Sequence, residues 1–366
     1  MTTTVKNKPQ QINKPLTKKG TPTTSRKTYI EVMRIIAAFL VIVNHTNSNI
    51  FLKYSKPETL TWYLSISYFF LSKIAVPVFL MIMGGLLLEK TDSPKKSFQR
   101  AFRIFVILIV FSAIYYVYFH RNALDTMSFS DFFKVIFARR VTNAFWYLYT
   151  YLGIMIILPL LQCMAQAFSK KLMRYFLIIS IGVMGFVPLF NTFFDIVPNP
   201  FFTKTFFVPL IGMVFAGFYI EHHMKITKTV FCYACLFFVS SITFEVLYTH
   251  KLWQENPNRY LLLDNRESIF ITICAASFYI IFKYLSTKIE IDNTPSKVIC
   301  YFGSLTFGIY LFSDLILDIT KPYYTEFITS NNKLFLSTIL WQIIIFISSA
   351  VITAIIKLIP GIKKYI

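Results

Sequence analysis

The chain has 366 residues, of which 55% are hydrophobic and 15% are charged, and its mean hydropathy is +0.57. Soluble proteins average about 25% charged residues, so this composition excludes a soluble globular domain. The formal net charge of +20 does not indicate nucleic-acid binding, because the basic residues lie in short clusters between apolar segments, where they act as topology signals. The predicted partner is a lipid bilayer, and no nucleic-acid partner is expected.

Residues 1–28 are rich in Thr, Lys, Pro, Gln and Asn and contain no apolar core. This composition is typical of a disordered basic tail and lacks the hydrophobic stretch of a signal peptide. Ten apolar segments follow, each near the ~20 residues that cross a bilayer. They lie at 29–48, 64–88, 102–119, 144–165, 173–190, 205–220, 229–248, 268–286, 298–319 and 334–357. Residues 29–366 are therefore predicted to form one all-α, polytopic membrane domain.

Ten spans place both termini on one side of the membrane, and the distribution of Lys and Arg indicates which side. Twenty-three Lys and Arg residues fall on the side of the termini, and 12 fall on the opposite side. Because cytoplasmic segments carry the excess of basic residues, both termini are predicted to be cytoplasmic. No internal repeat is visible and only 11 residues are Gly, which disfavours a transporter built from repeats with broken helices.

The first span contains two ionisable residues, Arg34 and His45. At 100° per residue, their separation of 11 positions places them about 20° apart on one helix face and about 16 Å apart along the axis. Ionisable residues within a membrane are costly and are functional candidates by default. The sequence also permits a second interpretation, in which Arg34 snorkels to the headgroups and His45 hydrogen-bonds a neighbouring helix.

The second span contains Lys73, Pro77 and Gly84-Gly85. The proline and the glycines predict a kink and a close approach between helices, whereas Lys73 is either functional or directed to the outer surface. Between the second and third spans, the sequence predicts a cytoplasmic basic cluster of Lys95, Lys96, Arg100 and Arg103. Such a cluster serves topology or anionic-lipid binding, or it recognises a phosphate-bearing cytosolic donor.

The fourth span opens with Trp146, Tyr147 and Tyr149. On composition alone, these rings fit an interfacial aromatic belt better than a ligand-stacking surface. Two acidic residues lie in later spans, Glu245 and Asp314. Either of them could pair with one of the intramembrane basic residues or with His45, and the sequence does not choose between them.

No metal or redox centre is predicted. His222 and His223 are adjacent but lack further ligands, which makes a poor metal site. Cys232 and Cys235 form a CxxC pair inside a hydrophobic span, where disulfide chemistry is not implied.

Five segments, in this order, resemble the acyltransferase 3 family of bacterial membrane proteins, and most closely its surface-polysaccharide O-acetyltransferase branch. The segments are Arg34 to His45, which matches the Arg-x10-His signature; Val76 to Gly84, similar to VP-FFMISG; Ser97 to Ile104, similar to the basic entry to span three; Phe145 to Leu160, similar to WFL…P; and Phe307 to Leu311, similar to GIYL. Together they cover most of residues 29–357. Each motif is short and apolar, but five of them in order with ten spans are fairly specific.

The sequence departs from the family pattern at two positions. Met83 stands where the family usually has Ser, and Ser313 stands where a His commonly follows the GIYL element. If that His takes part in catalysis or acceptor binding, the neighbouring Asp314 is the residue that could substitute for it. No appended soluble domain of the esterase type is visible, so the membrane domain alone would complete any acyl transfer.

The resemblance implies transfer of an acyl group, most often acetyl, from cytosolic acyl-CoA to a hydroxyl of a cell-surface or lipid-linked polysaccharide. It also implies a location in the bacterial cytoplasmic membrane, with acyl-CoA as the donor substrate and no bound cofactor. In this chemistry His45 would act as the general base or as the transient acyl carrier. Arg34 would orient the donor or balance the charge of the site, and Arg100 and Arg103 would contact the nucleotide phosphates.

Trp146, Tyr147 and Asp314 are the predicted substrate-binding residues, the two rings bordering the acceptor sugar. Two other functions share the span count and the buried charge. One is a transporter or flippase for a polyprenyl-linked glycan. The other is a catalytically inactive membrane partner of an exopolysaccharide system, which the serine at position 313 favours.

Overall fold

A computed structural model describes residues 27–53, 58–123, 125, 127–194, 196, 197, 199, 209–255, 268–289, 291–330 and 334–365. Most of the predicted tail therefore lies outside the described residues. The described chain is helical and contains no β-strand. Its longer helices are α1 (Thr28–Lys53), α2 (Leu60–Lys73), α3 (Ala75–Leu87), α4 (Pro94–Phe119), α5 (Phe129–Ala138), α6 (Trp146–Ala167), α7 (Lys170–Leu177), α8 (Pro209–His222), α9 (Lys228–Glu255), α10 (Ile269–Leu285), α11 (Asn293–Ser330) and α12 (Leu334–Ile356).

Seven helical stretches in the described part of the chain are long and apolar enough to cross a membrane. They are Thr28–Thr46, Leu60–Leu87, Pro94–Phe119, Asn143–Ala167, Lys228–Glu255, Asn293–Phe327 and Phe335–Ile356. Two shorter apolar helices, Leu210–His222 and Ile269–Leu285, coincide with two further predicted spans. The chain is thus a multi-pass membrane protein, while the count of ten spans and the cytoplasmic termini stay predictions.

The fifth predicted span, 173–190, is not one regular helix. After α7 the chain continues as a π-helical segment, Ile178–Val183, and then as the short helices Met184–Phe186 and Phe190–Phe194, separated by the 3-10 turn Val187–Leu189. Irregular helix at this depth is tolerated in membranes where neighbouring helices cover it, and α8 packs against the π-helical segment.

The predicted kink in the second span is confirmed, because α2 ends at Lys73 and α3 begins at Ala75. Pro77 causes the break: it has no amide hydrogen to donate, and its ring clashes with the carbonyl of the residue four positions earlier. That residue is Lys73. The break therefore lies next to Lys73, which is half-buried in the bundle.

The predicted close approach of a second-span glycine is also confirmed. A Cβ atom on Gly84 would overlap the backbone of Val214 in α8, and a Cβ atom on Gly217 would overlap the backbone of Met81 in α3. Small residues let membrane helices pack at backbone contact distance. These two glycines, one on each helix, therefore let α3 and α8 pack with their backbones in contact.

Helix α1 lies at the centre of the bundle and contacts α2, α3, α10, α11 and α12. The residue numbers of the contacting partners on α1 and α11 rise together. Thr28 hydrogen-bonds Ser296, Glu31 lies against Gly303, and His45 faces Asp314. The two helices therefore run parallel. Their shared direction brings the C-terminal half of α1 beside the middle of α11.

Candidate active site

A cavity of about 920 Å³ opens among α1, α3, α4, α6, α11 and the C-terminal end of the chain. Six of the seven predicted site residues line it, namely Arg34, His45, Arg100, Arg103, Trp146 and Tyr147. The seventh, Asp314, faces His45 directly. Ligand cavities in proteins usually measure about 300–1,000 Å³, so this one lies at the large end of that range.

The deep end of the cavity contains a chain of three polar residues from three different segments. Nδ1 of His45 on α1 lies 3.6 Å from Oδ1 of Asp314 on α11. The other carboxylate oxygen of Asp314 accepts a hydrogen bond from the hydroxyl of Thr142. Thr142 also caps the 3-10 turn Asn143–Phe145, because its side-chain oxygen accepts from the amide of Ala144. Thr142 therefore holds one oxygen of the Asp314 carboxylate, and the other oxygen, Oδ1, faces the imidazole of His45.

This arrangement determines which imidazole nitrogen is available for chemistry. A carboxylate beside Nδ1 favours the tautomer that carries its proton on Nδ1, which leaves Nε2 with a free lone pair. The distance of 3.6 Å exceeds a normal hydrogen bond, and such contacts commonly shorten when substrate binds. His45 is therefore presented as a base whose orientation depends on Asp314.

Two further polar residues lie at the deep end. Lys73, at the break between α2 and α3, lines the cavity, and its ammonium lies 4.0 Å from the ring centroid of Phe69. Asn44 also lines the cavity, and its buried Oδ1 accepts no hydrogen bond within the described part of the chain. Lys73 is therefore directed to the cavity, and the buried Oδ1 of Asn44 is available to accept a hydrogen bond there.

Arg34 occupies the middle of the cavity, on the same helix face as His45, as their spacing predicts. Its guanidinium lies 3.0 Å from Oε1 of Glu31 one turn earlier on α1. Glu31 is 2% exposed, and α11 approaches it at Gly303, where any side chain would collide with the carboxylate. The pairing with Glu31 leaves the rest of the planar guanidinium turned to the cavity.

Aromatic rings form the wall between the deep end and the middle. Tyr147 stacks on Tyr151 with ring centroids 6.0 Å apart, and it meets Tyr310 of α11 edge-on at 5.7 Å. The hydroxyl of Tyr310 donates to the carbonyl of Ala144. Trp146 and Tyr147 therefore line a cavity within the bundle, in addition to any role at the membrane interface.

Basic side chains surround the mouth of the cavity, at the end of the bundle where α1 begins. They are Arg100 and Arg103 of α4 and Lys357 and Lys363 after α12. Arg103 and Lys363 are exposed, so this mouth is open to solvent.

Asp92 holds one side of this mouth in place. Its carboxylate is buried and lies 2.5 Å from Nη1 of Arg100 and 2.8 Å from Nζ of Lys96. Gln162 of α6 donates to the same carboxylate and accepts from the amide of Asp92. Burial alone would raise the pKa of Asp92, but these hydrogen bonds outweigh it and hold the pKa well below its usual range. The network ties α4 to α6 beside the mouth.

Several residues considered from the sequence lie outside the cavity lining. Glu245 is buried on α9, and Ser313 donates to the carbonyl of Tyr310 on its own helix. His222 contacts the carbonyl of Gly85. No cluster of three metal-ligating side chains occurs within the residues that the structure describes, and Cys232 and Cys235 are free. Of the two acids, the structure therefore brings only Asp314 to His45.

The structure adds residues that the sequence did not single out. Thr142 could not be found from its spacing, since its partner Asp314 is 172 positions away. Lys357 ends the last predicted span and Lys363 follows it, and the sequence indicates for both only a role as topology signals. Their position at the mouth depends on the packing of α12 against α11, where Lys357 donates to the carbonyl of Ser304.

Comparison with known protein families identifies the family of the chain. The family model for the acyltransferase domain of the acyltransferase 3 type matches residues 27–358, which is nearly the whole chain. The chain belongs to the acyltransferase 3 family. Membership in the family supports a membrane acyltransferase. No curated protein and no solved structure matches the chain.

Proposed function

We propose that this protein is a membrane O-acyltransferase of the bacterial cytoplasmic membrane. It takes an acyl group, most simply acetyl, from cytosolic acyl-CoA and transfers it to a hydroxyl of a cell-surface or lipid-linked polysaccharide. The observation that carries this proposal is the continuous cavity that joins a basic mouth to the His45–Asp314 pair. Such a cavity suits a donor whose phosphates and reactive thioester lie at opposite ends of a long molecule.

The mouth supplies the charge that the nucleotide part of the donor requires. Arg100, Arg103, Lys357 and Lys363 carry four positive charges around it, and arginine binds phosphate oxygens through paired hydrogen bonds. The acyl-pantetheine arm would extend past Arg34 towards His45, over about 16 Å of helix at 1.5 Å per residue. Arg34 would donate to the polar amides of that arm.

The chemical step then requires a base at the deep end. The acceptor hydroxyl oxygen attacks the thioester carbonyl carbon, while Nε2 of His45 removes the hydroxyl proton. The carbon–sulfur bond breaks, and the departing CoA sulfur takes the proton back from His45. Asp314 would stabilise the transient imidazolium, and Lys73, which also lines the cavity, would balance the negative charge on the carbonyl oxygen. Trp146 and Tyr147 would stack on the acceptor sugar.

The decisive experiment compares the surface glycans of a deletion strain complemented with wild type, His45→Ala or His120→Ala. His120 is the matched control, because it does not line the cavity and its ring bonds the carbonyl of Tyr116. Base-labile esters are measured by NMR or mass spectrometry, with protein levels checked in each membrane fraction. We expect the esters to be lost in the deletion, restored by wild type and His120→Ala, and not restored by His45→Ala.

Two outcomes would contradict the proposal. Unchanged ester content together with altered glycan export in the deletion strain would indicate a transporter. Normal glycan esters with both His45 and Arg34 replaced would indicate a partner protein that does no chemistry itself.

A further inference from the structure

The helix α5 (Phe129–Ala138) presents a row of aromatic rings to its surroundings. Phe129 and Phe137 are 79% and 72% exposed, and Phe133 between them is 38% exposed. Their spacing of four residues puts them along one edge of the helix. The rings contact one another in sequence, with centroids 4.7 Å and 6.3 Å apart. Contiguous exposed apolar surface of this kind marks an interaction site.

The edge of α5 beside this row is fixed to the bundle. Ile136 is buried, and its carbonyl accepts a hydrogen bond of 2.7 Å from the hydroxyl of Tyr149 on α6. Phe132 packs on Tyr116 of α4. Because these contacts hold one edge of α5 against the bundle, the exposed rings on the adjacent edge point away from the protein.

The surface of α4 shows what covers those rings. Val110, Ile114 and Val117 are exposed along one face of this 26-residue helix, and an apolar face on a membrane-spanning helix contacts lipid. Val117 on that face and Phe119, the last residue of α4, are 48% and 46% exposed, so exposed apolar surface extends to the C-terminal end of the helix. The following Arg121 lies 4.1 Å from the ring of Tyr118, a pairing suited to the interface between hydrocarbon and water. The rings of α5 thus continue a lipid-facing surface at interface depth.

The charges of α5 favour an anionic surface. The segment 129–140 contains Lys134, Arg139 and Arg140 but one acidic residue, Asp131. Asp131 lies 3.4 Å from Lys134, so the two arginines at the end of the helix set the net charge. Helices with an apolar edge and basic residues bind in the plane of anionic membranes.

We propose that α5 is an interfacial helix that docks on anionic phospholipid in the leaflet at the His45 end of the bundle. The rings of Phe129, Phe133 and Phe137 enter the boundary between headgroups and acyl chains, and Arg139 and Arg140 bind lipid phosphates. This docking does not depend on acyl transfer. It also fixes the segment that leads directly from Arg140 to Thr142, which holds Asp314 beside His45.

The test uses the full-length protein in phosphatidylcholine vesicles with and without phosphatidylglycerol. A photoreactive benzoylphenylalanine replaces Phe137 in one variant and Ala138 in the matched control, since Ala138 is exposed at the same depth but about 140° around the helix from the middle of the row. After irradiation, adducts are identified by mass spectrometry. We expect acyl-chain adducts at position 137 and several-fold fewer at position 138. Equal lipid adducts at both positions, or adducts at 137 with a protein peptide, would overturn the proposal.

The headgroup contribution has its own test. In mixed vesicles, the probe at position 137 should recover phosphatidylglycerol in excess of its share of the lipid. Arg139→Gln with Arg140→Gln should reduce that excess to the bulk share, while Lys95→Gln, an exposed change at the mouth end of α4, should leave it unchanged. An excess that persists in the double variant would remove the arginines from the proposal.

Discussion

The two ends of the cavity differ in how their charges are held. At the deep end, His45, Asp314 and Thr142 form a chain in which each polar group has a partner from another segment. At the mouth, Arg103 and Lys363 are exposed cations beside the buried acid Asp92. A fixed base is suited to chemistry, whereas an excess of exposed positive charge is suited to binding an anion. Substitutions at the deep end should therefore lower kcat, and substitutions at the mouth should raise KM.

The largest effect is expected from His45→Ala. Removing a general base typically costs about 10²–10⁴-fold in rate, so kcat for transfer from acyl-CoA should fall by that factor with KM for acyl-CoA little changed. The measurement is steady-state kinetics with purified protein in lipid nanodiscs, and His120→Ala is the control. Retained transfer in His45→Ala would remove this residue from the mechanism.

Asp314→Asn should have the next largest effect, because the imidazole loses the charge that orients it and stabilises its protonated form. Loss of one charge-assisted contact costs about 1.5–3 kcal/mol, or about tenfold to hundredfold in kcat. Thr142→Val removes a single hydrogen bond to Asp314 and should cost about fivefold, in line with about 1 kcal/mol. A change in KM for acyl-CoA without a change in kcat would place Asp314 in donor binding instead.

The comparison also separates what the sequence can predict from what it cannot. The shared face of Arg34 and His45 and the break at Pro77 depend on residues within three helical turns, so local helix geometry suffices for both. The pairing of His45 with Asp314 joins positions 269 residues apart and depends on the parallel packing of α1 on α11. The fifth predicted span likewise has enough apolar residues for a regular helix, but its backbone conformation depends on neighbours that periodicity does not describe.

Arg34→Lys tests the middle of the cavity, between the deep end and the mouth. Lysine keeps the charge but loses the planar fork that can contact Glu31 and a substrate amide together. We expect kcat/KM to fall by about tenfold, the equivalent of about 1.4 kcal/mol. Wild-type activity in Arg34→Lys would support the interpretation that this residue only snorkels to the headgroups.

At the mouth, Arg103→Gln should raise KM for acyl-CoA by about two- to fivefold with kcat unchanged, since an exposed charge pair contributes less than about 1 kcal/mol. Added salt should weaken the binding of acyl-CoA to the wild type, because ions screen exposed charges. The difference in KM between wild type and Arg103→Gln should therefore become smaller. Lys95→Gln is the control, as Lys95 is exposed on the same helix but does not line the cavity. An equal effect of both variants would indicate a general surface potential rather than a site at the mouth.

The last effect concerns stability at acidic pH instead of activity and arises from Asp92, whose pKa is held well below its usual range. An ordinary aspartate titrates near about 3.9 in the unfolded chain, so the contribution of Asp92 is fully present above about pH 4 and is lost as the pH falls further. Thermal unfolding in detergent should show that the stability of the wild type declines below that pH. Asp92→Asn should reduce this decline, and it should lower the free energy of unfolding at neutral pH by about 1–3 kcal/mol. Asp131→Asn removes a contact between two exposed side chains and should change neither. An acid transition that is unaltered in Asp92→Asn would mean that the mouth is held together by packing between α4 and α6 and not by this carboxylate.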